Sequence, residues 1–546
     1  MGPHESVSGG HMEQVQNAIT GLDLGVIAAY FGVVILIGVW VARQTDSDED
    51  LFLAGRSLGW AAIGFSLFAS NISSSTLIGL TGSAYTTGLA PSAYEWLAGV
   101  PLLIMAFVFA PIFLKSRITT TPEYLDKRYS RRVRLYFSGL TIFFTIVVDC
   151  AGGLYAGGLV LNTFFPGIPL WQSAVAIGLF AGIYTAAGGL KAVVYTDVMQ
   201  AVVLIFGSAI LAWIMFAELD YSFATIRDSV PNEDHLSMVL PLDNDTLPWP
   251  GLFFGVSLLG FWYWVTNQYI VQRILGARTL PDAQWGAVLG GLLKILPLFI
   301  MVFPGAMATA LLPDIETADR VFPIMITQVL PSGLTGLVLA GLVAAIMSSV
   351  DSTLNSSSTL LVHDFITKPE EEIDHAKRKK YGTYATLGFM VLAIAWAPLI
   401  QFAGGLWSYL QQMFSVLVPP LVVLFLMGAL SRFGTEKAGF YTLIFGHAVG
   451  AVLFSLGNPG VMGLFGTEPV WPIHFTINVA IVTVLCLIFY IAVSAVTEGR
   501  ELEDDVIWER GKALRDAAWG QEWYKDVRIH SGVLVFGMLA VLIGFW

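Results

Sequence analysis

Two stretches rich in hydroxyl side chains interrupt long apolar segments, and their residue types suit the binding of an ion or a small polar molecule. Residues 69–76 read Ala-Ser-Asn-Ile-Ser-Ser-Ser-Thr between apolar flanks. Residues 348–352 read Ser-Ser-Val-Asp-Ser about half a chain later. Irregular backbone inside a membrane is tolerated where it lines a cavity. Two such interruptions, one in each half of the chain, predict a transporter's binding site near the middle of the membrane.

The second stretch places several small residues on one helical face. Ala345, Ser348, Ser349 and Ser352 are spaced i, i+3, i+4 and i+7. Hydroxyls and backbone carbonyls are hard oxygen ligands that suit a small hard cation. The alternative is that these serines only join membrane helices by hydrogen bonds, which would be favoured for an isolated pair. The break at 69–76 favours an ion site, because an unwound helix can supply the remaining oxygens.

Five ionisable residues lie inside apolar segments: Glu95, Asp149, Asp197, Lys294 and Asp351. Charges within a membrane are functional candidates and are usually paired. Glu95 and Asp149 are each candidate partners of Lys294, and the sequence does not choose between them. A purely structural Glu95–Lys294 pair is an alternative, as is a helix-end anchor at Asp197.

Tyr263 belongs to the aromatic run 261–264, and such runs are typical of packing or of the membrane interface. The polar residues 266–268 follow directly, well inside the same apolar segment. Their position favours a role for Tyr263 in a binding site.

The composition is that of a membrane protein. Of 546 residues, 55% are hydrophobic and only 12% are charged, against roughly a quarter in soluble chains. The net charge of −12 gives no indication of nucleic-acid binding. Cys150 and Cys486 fall in apolar segments and are expected to be buried thiols. We find no nucleophile–base pairing and no metal-ligand spacing, so an enzyme is not predicted.

Windows of about 20 apolar residues predict an all-α polytopic protein with fourteen transmembrane helices. Residues 1–12 resemble an expression-tag remnant, and 13–546 are expected to form a single membrane transport domain. The predicted spans are 22–43, 58–81, 93–115, 133–161, 169–188, 192–217, 249–272, 284–312, 335–364, 381–401, 405–431, 437–457, 472–497 and 531–546.

Loop charges predict the orientation. The loop 115–134 has seven basic residues, whereas 218–248 has one, Arg227, against seven acids. By the positive-inside rule the first loop is cytoplasmic and the second is external. Fourteen spans then place both termini outside a plasma (inner) membrane. The charged segment 498–530 is expected to be a cytoplasmic amphipathic loop with a short helix on the membrane surface.

Seven motifs spread over most of the chain occur in the order of one transporter family. They are 69–73, 94–96, 188–200, 262–273, 293–297, 348–356 and 409–411. Together they resemble the sodium/solute symporter family, and most closely its sodium–glucose/galactose cotransporter branch. The resemblance implies an inverted repeat of five plus five helices, as in the bacterial leucine transporter. The two repeats would be 58–217 and 249–431.

The resemblance also implies a sodium ion as the coupled cation. Its ligands would be the backbone carbonyls of Ala69, Ile72 and Ala345 and the hydroxyls of Ser348 and Ser349.

Some relatives hold a second sodium with an acid that matches Asp197 and hydroxyls one turn further along the helix. Here that turn carries Asp351 and Ser352, so a carboxylate replaces one expected hydroxyl. Two coupled sodium ions are therefore a hypothesis, and Asp351 binding a proton is its alternative.

For the solute, the resemblance implies a monosaccharide that is transported by alternating access. Its hydroxyls would meet Asn71, Glu95, Lys294 and Gln411, and Tyr263 would be both a platform under the ring and a gate. The hydrophobic outer gate would consist of Leu80, Tyr94 and Trp407.

Three positions depart from the family pattern. Relatives have Gln or His at a sugar-contacting position where this chain has Thr76, and Asn or Lys where it has Asp149. Gly260 replaces an Asn that contacts sugar in the bacterial galactose transporter. The choice of sugar therefore does not transfer directly, and Thr76 and Asp149 are predicted to influence it.

Other solutes remain alternatives to a monosaccharide: inositol, a carboxylate or an amino acid. Lys294 could pair with a substrate carboxylate, but Glu95 and Asp149 would oppose one. A solute sensor is less favoured, because sensors of this type usually append a cytoplasmic signalling domain.

Overall fold

The computed structural model describes residues 19–42, 53–164, 167–185, 190–366, 375–402, 405–463, 466–499, 501–509 and 522–546. Within these ranges the chain is helical, and its β-pairing is limited to two isolated bridges.

Eight helices make up the first half of the chain up to the second broken segment, together with short connecting helices. They are α1 (Gly21–Ala42), α2 (Trp60–Asn71), α3 (Ser74–Thr87), α4 (Ala90–Lys115), α5 (Arg131–Phe164), α6 (Leu170–Thr185), α7 (Leu190–Glu218) and α8 (Gly251–Thr266).

Eight further helices follow. They are α9 (Gln268–Leu275), α10 (Leu280–Leu311), α11 (Leu334–Ile366), α12 (His375–Trp396), α13 (Leu406–Leu430), α14 (Glu436–Gly457), α15 (Phe475–Ala495) and α16 (Val527–Gly544).

A polytopic membrane fold is supported by the length and apolarity of these helices. In the described residues ten helices are long and apolar enough to cross a membrane, and the bent pair α2–α3 makes eleven. Three more apolar segments are shorter: 21–34 in α1, 170–179 in α6, and α8. Each predicted span overlaps a helix within the described residues, and the count of fourteen spans stays a prediction.

Two helices are broken inside apolar segments. The axes of α2 and α3 differ by 59° across Ile72 and Ser73. Ser73 begins the new helix, because its side chain accepts a hydrogen bond from Thr76 N at 3.3 Å. The second break is at Asn267 between α8 and α9, where the backbone is extended (φ −69°, ψ 121°). The hydroxyl-rich run 69–76 is thus a helix break, as predicted.

Close approach of α2 and α10 brings the first break to a buried lysine. A Cβ added at Gly64 would lie 2.6 Å from Leu289 Cδ2, and one at Gly286 would lie 2.5 Å from Ile63 Cγ2. Small residues therefore let the two helices pack tightly. α10 is distorted at Lys294, three residues before Pro297, which has no N–H to continue the helical ladder.

The segment 501–509 packs irregularly against the helix bundle. Val506 is fully buried, and Trp508 Nε1 donates to Phe107 O at 2.8 Å. Asp505 lies 3.7 Å from Lys127, so this acidic segment contacts the basic loop 115–134. The contact is consistent with both segments lying on one side of the membrane. Residues 510–521 of the predicted amphipathic loop lie outside the described residues.

The tight contact between α2 and α10 makes a stability prediction. Gly286→Ala should cost about 1–3 kcal/mol, because its methyl group would overlap Ile63. The measurement is thermal unfolding of the purified protein in detergent. Gly290→Ala is the matched control, since its methyl would meet Leu67 at an ordinary 3.5 Å. Equal melting temperatures for the two variants would contradict the packing described above.

Candidate functional site

A small internal cavity of about 90 Å³ lies at the first helix break. Residues from the break, α5, α8, α11 and α13 all reach it. Its lining includes six of the seven predicted solute-binding residues: Asn71, Thr76, Glu95, Asp149, Tyr263 and Gln411. The tertiary structure thus brings together side chains that are up to 340 positions apart, from Asn71 to Gln411.

Lys294, the seventh of these residues, lies behind the cavity wall. Its ammonium is fully buried, donates to Asn71 Oδ1 and forms an ion pair with Glu95 Oε2. The rings of Trp264 and Phe68 lie 5.6 and 5.8 Å from Nζ, within cation–π range. Glu95, and not Asp149, is therefore the partner of Lys294. The lysine holds Asn71 and Glu95 in fixed positions on the cavity wall.

Tyr263 is fixed by two hydrogen bonds. Its hydroxyl donates to Ser70 O at 3.3 Å and accepts from the Tyr269 hydroxyl at 2.7 Å. It lies in a π-helical turn, 262–266, directly before the break at Asn267. The ring therefore connects the two broken helices at the edge of the cavity.

The first break releases backbone carbonyls that a continuous helix would use. Ser73 N donates to Asn71 O at 2.7 Å instead of to Ala69 O. Thr76 N donates to Ser73 Oγ instead of to Ile72 O. The carbonyls of Ala69 and Ile72 thus lose their usual helical donors. These are the two carbonyls that the family resemblance implies as sodium ligands.

Serine oxygens of α11 are the other part of the predicted ion site. Ser349 lines the same cavity as the residues of the break. Its hydroxyl donates to Ala345 O at 2.8 Å, which leaves the oxygen lone pairs directed away from its own helix. Ser348 lies in α11, and its side chain is outside the described residues. Carbonyls and hydroxyls of this kind suit an alkali cation.

Asp197 is held in a buried ion pair. Its Oδ2 accepts from Arg273 Nη2 at 3.1 Å, from Ser66 Oγ at 2.8 Å and from Ser70 Oγ at 3.0 Å. Arg273 is only 1% exposed, although the predicted span ended just before it. The charge of Asp197 is therefore compensated by Arg273, which lies one residue beyond the predicted span 249–272.

The second predicted sodium site is spread over two helices. Asp351 and Ser352 are buried on α11 at 3% and 8% exposure. Asp197 lies on α7, paired as described above. The role of these three residues in binding a second sodium stays a prediction.

The threonine predicted to influence sugar choice faces the cavity but is hydrogen-bonded locally. Thr76 Oγ1 donates to Asn71 O at 2.7 Å. The side chain therefore fixes the backbone of the break and presents its remaining surface to the cavity.

Two aromatic rings separate this cavity from a larger one. Tyr94 and Trp407 lie in edge-to-face contact, with centroids 5.5 Å apart. Both rings and Gln411 line the small cavity and also a vestibule of about 980 Å³. Leu80 is fully buried in the apolar cluster against which the two rings pack. The predicted outer gate residues thus lie together between the two cavities.

The vestibule is bordered by acids from the loops predicted to be external. Asp243 and Asp245 line it, as does Asp319 from the turn Ala318–Arg320. Burial raises the pKa of the Asp319 carboxyl, although Leu406 N and the Tyr155 hydroxyl donate to it. Asp319 therefore fastens this turn to the start of α13.

Several residues at the site were given no individual role in the sequence-based prediction. Trp264 and Tyr269 line the cavity, but they belong to an aromatic segment of a kind common in membrane helices. Thr353 lines it from α11. Arg273 could have been recognised as the partner of Asp197 had the span been extended by one residue.

The fold and site define a membrane transporter in which helix breaks surround a central polar cavity. The chain belongs to the sodium:solute symporter family, whose model matches residues 51–446. Sodium/glucose cotransporter 4 of Mus musculus is 33% identical over 94% of this chain and 82% of its own length. Sodium/myo-inositol cotransporter 2 of Homo sapiens is 35% identical over 79% of this chain and 69% of its own length. The family resemblance of the motifs is confirmed.

A solved structure supports the same fold. A substrate-bound, outward-open Na⁺-coupled sialic acid symporter superimposes with a TM-score of 0.74. The match covers 89% of this chain and all of that one at 21% identity. The likeness concerns the arrangement of the helices.

The buried ion pair makes a prediction that does not depend on transport. Lys294→Met should cost about 3–5 kcal/mol, because it leaves the Glu95 carboxylate buried without its partner. The double variant Glu95→Gln/Lys294→Met should recover much of this loss, since no unpaired charge remains. Thermal unfolding in detergent, without sodium or sugar, measures both. A double variant as unstable as the sum of the two single variants would argue against the pair.

Proposed function

We propose that this protein is a sodium-coupled symporter of a monosaccharide in the plasma membrane. The observation that carries the proposal is that one cavity is lined by two sets of groups with different chemistry. The break at 69–76 and Ser349 supply oxygens suited to sodium, and Asn71 and Glu95 supply groups suited to sugar hydroxyls.

The family and its sodium/glucose relatives support sodium as the co-transported ion. The ligands would be the carbonyls of Ala69, Ile72 and Ala345 with the hydroxyls of Ser348 and Ser349. Among the described residues, no cluster of three or more His, Cys, Asp or Glu is suited to a metal ion, and an alkali cation needs none.

The sugar would lie between polar groups and an aromatic ring. A pyranose has an apolar face that Tyr263 can cover and hydroxyls that can meet Asn71, Glu95 and Gln411. Lys294 would act through Asn71 and Glu95, which it binds directly. Leaving buried polar groups unpaired is costly, so a solute that lacks the matching hydroxyls would bind weakly.

The two breaks favour an inverted repeat of five plus five helices. One break lies at the start of each proposed repeat, 58–217 and 249–431, in α2–α3 and in α8–α9. Broken helices in corresponding positions of two halves are typical of transporters with inverted repeats.

Alternating access would couple the two substrates. The sodium ligands come from the α2–α3 break and from α11, so movement of one relative to the other would dismantle the ion site. Tyr94 and Trp407 would close the external path, and Tyr263 the internal one. Both termini would face outward, as the loop charges predict.

A cyclitol is the second candidate solute. The relative named a sodium/myo-inositol cotransporter is similar over most of this chain. A cyclitol offers a ring of hydroxyls to the same side chains, and it therefore belongs in the substrate panel.

The sodium site makes a transport prediction. In proteoliposomes with an inward sodium gradient, labelled sugar should accumulate, and Ser349→Ala should raise half-saturating sodium about tenfold, equivalent to about 1.4 kcal/mol. The reason is the loss of one oxygen ligand. Ser531→Ala is the matched control, since this serine makes the same bond to the carbonyl four residues earlier, remote from the site. An unchanged sodium affinity in Ser349→Ala would count against the site.

The second sodium makes a separate prediction. Uptake by the wild type should depend on sodium with a Hill slope above one, and Asp351→Asn should bring that slope to one. Asp351 is preferred to Asp197 for this test, because removing Asp197 would leave Arg273 buried without its partner. A slope of one in the wild type would refute the second ion.

A further inference from the structure

One charged group in the cavity is used neither by the central ion pair nor by the proposed sodium ligands. Asp149 lies in the π-helical turn 145–150 of α5 and lines the cavity. Its Oδ2 is buried and has no hydrogen-bond partner among the described residues. The amide of Asn267 lies beside it, yet both amide atoms also lack a partner of normal geometry. Buried polar groups without partners are rare and call for an explanation.

The charge of the cavity wall is unbalanced. The described residues that line it include two carboxylates, Glu95 and Asp149, and no lysine, arginine or histidine. Lys294 lies behind this wall and is bound to Glu95 and Asn71. Lys294 therefore compensates Glu95 and not Asp149. A buried carboxyl without a cationic partner takes up a proton or binds a cation, and a cation bound beside it favours its charged form.

The surroundings of Asp149 suit an organic cation. Tyr263, Trp264 and Tyr269 line the same cavity as Asp149. The rings of Tyr263 and Trp264 lie in edge-to-face contact at a centroid distance of 5.1 Å. Aromatic faces together with a carboxylate recognise ammonium groups.

The entrance to the site has the same sign of charge. Asp243 and Asp245 border the vestibule outside the gate. Carboxylates around a cleft raise the local concentration of cations and disfavour anions.

We propose that the preferred solute is an amino sugar, a monosaccharide that carries a protonated primary amine. Its ammonium lies against Asp149, and its hydroxyls meet Asn71, Glu95 and Gln411. This inference rests on the proposed function, and it makes Asp149 the residue that selects the charge of the solute.

The test compares D-glucosamine with D-glucose, which has a hydroxyl in place of the amine. Sodium-driven uptake of each labelled sugar is measured in proteoliposomes at pH 6.5 for the wild type and Asp149→Asn. The wild type should half-saturate at a concentration of glucosamine at least tenfold below that of glucose. Asp149→Asn should raise the glucosamine value at least tenfold and change the glucose value less than twofold. The control is Asp228→Asn, which removes an exposed carboxylate from the segment 218–248, away from the cavity.

Glucose uptake equal to or better than glucosamine uptake by the wild type would overturn the inference and leave sodium–sugar symport standing. An equal change for both sugars in Asp149→Asn would also overturn it. If Asp149→Asn does not fold, Asp149→Ser serves for the same comparison, and the preference of the wild type is decisive by itself. Failure of every sugar to accumulate with sodium would refute the proposed function and this inference with it.

Discussion

The structure of the site depends on one constraint, which is that polar backbone inside a membrane must find partners. The chain breaks its helix at Ile72–Ser73, where a bilayer would normally require continuous hydrogen bonding. Local hydrogen bonds of the Ser73 and Thr76 side chains satisfy two of the backbone groups at the break, Thr76 N and Asn71 O. The carbonyls of Ala69 and Ile72 lose their helical donors there and are the proposed ligands of a sodium ion. A structural irregularity of two residues thus becomes the candidate sodium site.

Buried charges then fix the geometry around the break. Lys294 joins Asn71 of α2 to Glu95 of α4, and Arg273 joins α9 to Asp197 of α7. Because unpaired charges are costly in this environment, each pair specifies which helices must be neighbours. Glycines such as Gly286 allow the close approach that the Lys294 contacts require. Packing and electrostatics therefore support the same arrangement. Asp149 is the exception, and an exception of this kind is expected at a site that binds a ligand.

Much of the site was predictable from residue type and order. The hydroxyl runs, the intramembrane charges and the family motifs identified Asn71, Glu95, Asp149 and Ser349 as cavity residues before any geometry was known. The pairing of Lys294 was not predictable, because Glu95 and Asp149 are chemically equivalent candidates at the level of sequence. The burial of Arg273 was also missed, since hydropathy windows end a span at the first strong charge.

The sequence by itself determined the membrane class, the family and the position of the first break, because apolar length and helix-interrupting hydroxyls are local properties. Only the tertiary structure decided which acid pairs with Lys294 and that Asp197 pairs with Arg273. It also decided that Asp149 has no cationic side chain beside it among the described cavity residues. Those outcomes depend on distances between helices that are far apart in the chain, and periodicity carries no information about them. The break at 69–76 was evident in the sequence, whereas the charge that its cavity presents to a solute was not.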